Sequence, residues 1–154
     1  MLRNALGRFA TGVTIVTCVD ADGSYVGLTV NSFNALSLEP PLVLWSLRDV
    51  NPAMAAFMAA PSFAVNVLAQ DQMALSNRFA AREEDRFSAG TWALGEHGAP
   101  VLTGCAAVFE CANQSHQMAG DHRLFIGRVL ACAEADLPPL VYQAGQYRVL
   151  GGSL

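Results

Sequence analysis

Polar side chains set inside apolar runs are the places where this chain of 154 residues could do chemistry. Thr29, Asn31 and Ser32 follow directly on the run Tyr25 to Val30, Ser46 interrupts Pro41 to Leu47, and Asn66 lies within Phe63 to Leu68. A polar group taken out of water must find a hydrogen-bond partner in the protein or in a ligand. If each bonds the nearby backbone at a strand end, these residues are structural. If several converge on one cleft, they suit a ligand rich in hydrogen-bond acceptors. Asn51, just after Arg48 and before Pro52, stands where it can cap a helix, a start that suits a phosphate.

Other chemistries lack their residues. There is no Gly-x-Ser-x-Gly elbow, no phosphate-binding Walker loop and no His-Glu-x-x-His helix, so hydrolytic catalysis has little support. Glu83, Glu84 and Asp85 cluster in a polar stretch and read as solvated surface. The four cysteines, Cys18, Cys105, Cys111 and Cys132, include no Cys-x-x-Cys pair and sit in apolar, strand-like runs, so core thiols are expected. His97, His116 and His122 lack zinc-ligand spacing, and no metal is expected.

The elements that must position these groups are short. Leu2, Leu6 and Phe9 share one face of a helix expected over Leu2 to Phe9. Val13 to Thr17 is a β-branched run, Asp20 to Gly23 a turn, and Tyr25 to Val30 the returning strand of a hairpin. Asn31 to Leu38 alternates polar and apolar up to Glu39-Pro40-Pro41, and Pro41 to Leu47 reads as a buried strand. Asn51 caps a helix with Pro52 at its first position, running through Met54, Phe57 and Met58. Phe63 to Leu68 is a strand, and Asp71 caps a helix over Gln72 to Ala80. Ala81 to Gly98 reads as a surface excursion. Strands follow over Ala106 to Ser115 and Arg123 to Ala133, joined by a turn at Ala119-Gly120-Asp121. A last strand, Leu140 to Tyr142, turns at Gly145 toward Tyr147 to Leu150. Many strands and few helices predict a mainly β, antiparallel barrel in one domain over residues 1–154; a Rossmann fold would need helices between its strands and a Gly-x-Gly-x-x-Gly turn.

Hydrophobic residues make up 53% of the chain and charged ones 14%, too apolar for disorder and sparsely charged for a lone monomer. A homo-oligomer, a homodimer above all, is expected, because obligate interfaces resemble a core cut in half. The net charge is −4 and basic residues nowhere form a run, so neither nucleic acid nor a membrane surface is expected as a partner. The longest apolar stretch, Pro40 to Leu47, fits one strand, and the N-terminal residues lack a signal-peptide pattern, so a cytoplasmic location is expected.

Taken in order, several motifs form a larger pattern. Phe9-Ala10-Thr11-Gly12-Val13-Thr14-Ile15-Val16-Thr17, then Gly27 to Phe33, then Ser37 to Leu44, then Phe63 to Leu68, Arg78-Phe79-Ala80, Ala119-Gly120-Asp121-His122 and Gly145-Gln146-Tyr147-Arg148 resemble the short-chain flavin reductase family. These are split-barrel, FMN-binding proteins that serve as reductase components of two-component flavin-dependent monooxygenases. The resemblance covers nearly the whole chain. It implies a split β-barrel with short flanking helices. It also implies an NAD(P)H:flavin oxidoreductase passing hydride from reduced nicotinamide to FMN or FAD, for use by a separate oxygenase.

By resemblance, Thr29, Val30, Asn31, Ser32 and Phe33 lie along the flavin, and Ser46, Leu47 and Arg48 border its ribityl and pyrimidine side. Ser32 and Asn51 help hold the phosphate with Arg48, Phe79 sits across the cleft, and His122 and Tyr147 line the face where nicotinamide stacks. Val30 stands where relatives carry a smaller residue, and Asn51 where many carry serine, threonine or lysine. On position alone His122 is a half-exposed histidine opening a strand, and Arg86 a surface arginine. No catalytic acid or base is implied, since positioning carries the reaction. The alternative is a flavin carrier or sensor on the same barrel that does not turn over nicotinamide.

Overall fold

A computed structural model describes residues 1–154. Helix α1 (Leu2–Leu6) leads into β1 (Thr11–Gly12), β2 (Thr14–Val19) and β3 (Tyr25–Val30). β4 (Asn34–Leu38) and β5 (Pro41–Arg48) follow, then α2 (Met54–Ala59), β6 (Ser62–Val67) and α3 (Met73–Ala80). A short pair, β7 (Trp92–Leu94) and β8 (Pro100–Leu102), precedes the two long strands β9 (Ala107–Ala119) and β10 (His122–Glu134). The chain closes on β11 (Val141–Gln143) and β12 (Gln146–Arg148).

Seven strands form one antiparallel sheet in the order β3-β2-β6-β9-β10-β5-β4. The sheet curls without closing, leaving β3 and β4 as unpaired edges: a split barrel. A second, three-stranded sheet, β1-β11-β12, pairs residues from opposite ends of the chain (Thr11 with Tyr142, Gly12 with Val141) and stands beside the seam.

Packing follows from alternation. In β5 the residues Val43, Trp45 and Leu47 point inward while Leu42, Leu44 and Ser46 stay half-exposed, so the strand has one buried face rather than two. Trp45 stacks on Phe125 at 4.6 Å and meets Phe57 edge-on at 4.9 Å, anchoring the larger core between α2 and the sheet. A smaller core gathers Val13, Ile15, Leu68, Phe79, Leu102 and Leu140.

Five expectations are corrected. α1 ends at Leu6, and Leu2, Leu6 and Phe9 are all exposed, because nothing in the chain covers their face. The excursion over 81–98 is more than surface: Phe87 and Trp92 pack against Phe79, and Arg86 donates to the Gly27 carbonyl at 2.7 Å. Cys132 is exposed, while Cys18, Cys105 and Cys111 are buried. α2 begins at Met54, and Asn51 caps the turn before it, accepting the Ala53 N–H at 2.9 Å. Asp71 does not cap α3, which starts at Met73 without a side-chain cap; a tight turn over Gln70–Gln72 precedes it, where Gln72 Oε1 accepts the Ala69 N–H at 3.0 Å.

Candidate functional site

The seam of the barrel is held by one hydroxyl. Ser32 Oγ donates to the Ser46 carbonyl at 2.9 Å and accepts the Ser46 N–H at 3.0 Å, tying the end of β3 to the middle of β5. Its proton is therefore spent on the protein. Around it, Asn31, Ser32 and Phe33 lie outside every strand, and none of their main-chain N–H or C=O groups takes part in the turn and loop hydrogen bonds. Backbone polar groups are nearly always paired in folded proteins, so three successive unclaimed residues form a free recognition edge.

Asn31, the first residue of this edge, lines a cleft of about 340 Å³, and Ser32 and Phe33 lie beyond its lining. Thr29, Val30 and Asn31 form one wall, Ser76 and Asn77 of α3 the floor, and Tyr142 and Tyr147 the far wall. A chain of hydrogen bonds sets the walls. Thr29 Oγ1 donates to the Ser76 carbonyl at 2.7 Å, Ser76 Oγ lies 2.7 Å from Tyr147 Oη, and Tyr147 donates to Asn77 Oδ1 at 2.9 Å. Thr29 thus keeps its lone pairs for a ligand but not its proton. Val30 stays half-buried, its carbonyl accepting from Thr14 Oγ1 at 3.0 Å.

A second group lies at the end of the β5–β10 pair, where Arg48 sits opposite His122 and Ser46 opposite Leu124. Arg48 is exposed and Asn51 half-buried. His122 Nδ1 lies 2.7 Å from Asp121 Oδ1, which turns Nε2 outward. That hydrogen bond, then the His122 charge, holds the Asp121 carboxyl below its usual range. No side chain of this group lines the 340 Å³ cleft; Ser32 is the link between the two.

Two of the expected site residues are sunk in the core. Leu47 is 4% exposed and can offer a ligand only its backbone. Phe79 is 1% exposed, packed on Phe87 and Trp92, while its helix neighbours Asn77 and Ala80 line the cleft. Ser76, Asn77 and Tyr142 are cleft residues that sequence reasoning passed over. Ser76 had a signal: a serine on the face of α3 that carries Phe79 is a buried hydroxyl needing a partner.

Fold and site define a class: an open-seamed barrel with a cleft between the end of β3, α3 and the C-terminal hairpin. The chain belongs to the flavin reductase like domain family, whose model matches residues 6–151. It is 47% identical over 146 residues to the probable flavin reductase of Rhizobium meliloti, covering 95% of this chain and 47% of that protein. Thus the chain spans about half the length of that curated relative. The FMN reductase (NADH) SmoA of Agrobacterium fabrum is 44% identical, over 94% of this chain and 82% of its own length. Among solved structures, the NADH:FAD oxidoreductase of Streptomyces globisporus superposes with a TM-score of 0.92 at 35% identity, covering 99% of this chain and 88% of that one.

Proposed function

We propose that this chain is an NAD(P)H-dependent flavin reductase, with residues 1–154 forming one flavin-binding unit that takes hydride from reduced nicotinamide to FMN or FAD. The observation that carries this reading is the free main-chain edge of Asn31, Ser32 and Phe33 beside the cleft. Its N–H and C=O groups match a ring with alternating acceptors and donors along one side. The relatives named above as an FMN reductase (NADH) and an NADH:FAD oxidoreductase support the same chemistry.

A bound flavin supplies the hydride-accepting chemistry, and the chain supplies binding and orientation. Thr29 to Phe33 would hold the ring edge, with Ser46 and the Leu47 backbone beside it. Arg48 and Asn51 would supply charge and an amide to the phosphate, and Ser32 its N–H unless its hydroxyl proton turns outward. Phe79 acts from behind, by fixing α3 under the cleft. His122, oriented by Asp121, and Tyr147, held by Ser76 and Asn77, would flank the approaching nicotinamide. No proton needs to be moved by a side chain, in keeping with a cleft lined by no acid or histidine.

The partner in this reading is a separate oxygenase that consumes the reduced flavin, as the relative from Rhodococcus jostii, the reductase subunit of a flavin-dependent monooxygenase, suggests. A homodimer is supported by the uncovered apolar side chains Leu2, Leu6, Phe9, Leu38 and Val50. A cytoplasmic location is supported by four unpaired thiols, which suit a reducing compartment.

Oxidation of NADH followed at 340 nm, with and without added FMN or FAD, tests the reading. Saturable turnover with one flavin is expected. Flavin binding with no turnover above free flavin would favour a carrier and defeat the reductase.

A further inference from the structure

Strand β12 is an edge strand whose only ladder partner is β11. Outside that hairpin, its hydrogen bonds to the rest of the molecule are made by a single atom, Tyr147 Oη. The bond to Asn77 Oδ1 lies at the exposed surface, where water competes for it. The other, at 2.7 Å, reaches the hydroxyl of Ser76, a residue with 0% exposure.

That hydroxyl is committed to Tyr147. Tyr147 has one phenolic proton and gives it to Asn77, so Ser76 is the donor in the bond between them. A serine inside a helix often turns its hydroxyl back on the preceding turn; Ser76 makes no such bond. Its main chain serves the opposite wall, where the Ser76 carbonyl accepts the Thr29 hydroxyl at 2.7 Å. One buried residue thus carries a tie to each side of the cleft. The two sides are not held equally. β3 has a second link to the end of α3, because Arg86 donates to the Gly27 carbonyl at 2.7 Å and to the Ala81 carbonyl at 2.6 Å. For β12 the one buried link is the Ser76 hydroxyl.

We propose that Ser76 is a positioning residue: acting through Tyr147, its hydroxyl holds the nicotinamide wall in register with the flavin wall at Thr29. This rests on the reading of the cleft as a flavin and nicotinamide site. Two rings exchange hydride only when their reacting atoms meet about 3–3.5 Å apart, and a displacement of about 1 Å can cost about a hundredfold in rate. Ser76→Ala removes the tie to Tyr147 and keeps the tie to Thr29, which uses the backbone carbonyl. The loss therefore falls on the nicotinamide wall, while the flavin wall keeps both of its links to α3.

Hydrogen exchange in the flavin-free chain is the first readout. The β12 amides that pair with β11 should exchange about tenfold faster in S76A, while those of β3 keep the parent rate. With FMN or FAD added, kcat for NADH should fall about tenfold, and Kd for the flavin, read from its fluorescence, should stay within about twofold of the parent. Ser76→Thr keeps the hydroxyl and should restore most of the rate. Tyr147→Phe gives a second test that does not depend on how a threonine packs: once the Tyr147 hydroxyl is gone, adding S76A should cost nothing further. Flavin affinity that falls as far as kcat overturns the proposal, as do additive losses in S76A/Y147F. So does S76A with the kcat of an active parent. A parent chain that binds flavin without oxidising NADH overturns the reductase reading, and the role of Ser76 with it.

Discussion

Asn66 gives its Nδ2 to the Ile15 carbonyl at 3.0 Å and takes the Leu102 N–H at 2.9 Å on Oδ1, so both ends of its amide are spent on backbone. Asn66→Ala would leave the buried Leu102 N–H without its partner and take from the Ile15 carbonyl the side-chain donor it has beside its ladder bond, and a loss of about 1–3 kcal/mol of stability is expected, read as a lower urea midpoint. An unchanged midpoint would mean that water replaces the amide. A polar residue inside an apolar strand was visible in the sequence at Asn66, Ser46 and Thr29 alike. Which of them were structural was not, because the partners of Asn66 lie 51 and 36 residues away and only strand register brings them near. The same holds for Ser32, whose hydroxyl is engaged by Ser46 across the seam. The stretch Thr29 to Phe33 was legible by its family motif; its free main-chain edge needed the structure.

Among the elements, β10 shows how a strand is shaped by what crosses it. Register slips between Ile126 and Gly127, and a side chain at Gly127 would collide with the Phe63 ring and come within 3.0 Å of the Cys111 Cβ. Gly127→Ala should therefore cost about 1–3 kcal/mol by overpacking, measured as a lower melting temperature. A neutral result would mean that Phe63 can swing aside within the aromatic cluster. The hairpins and the two long strands were legible because alternation and turn residues are local. The role of the 81–98 stretch was not: Phe87 and Trp92 are isolated apolar residues in polar surroundings, with no periodicity to betray that they close the smaller core. Helix α1 misled in the opposite way, since an apolar face marks burial without saying by which chain.

For the molecule as a whole, thiol chemistry reports on both cores at once. Burial pushes Cys18, Cys105 and Cys111 up to about 12, so at pH 8 only about one in ten thousand of each is thiolate. Ellman's reagent should titrate no more than one thiol per native chain, that of Cys132, and four after unfolding. Two or more fast-reacting thiols in the native protein would show that a core opens readily. A dimer that covers β10 would lower the native count to zero, which sedimentation at several concentrations would confirm.

The small sheet that walls the cleft joins Thr11 and Gly12 to Val141 and Tyr142. During synthesis its first strand must wait for nearly the whole chain, whereas the β2–β3 hairpin can pair almost at once. Within residues 1–154 this wall of the cleft is thus the last to pair. If the proposed function holds, a flavin would stabilise only the folded form, by mass action, and offer no help to the nascent chain.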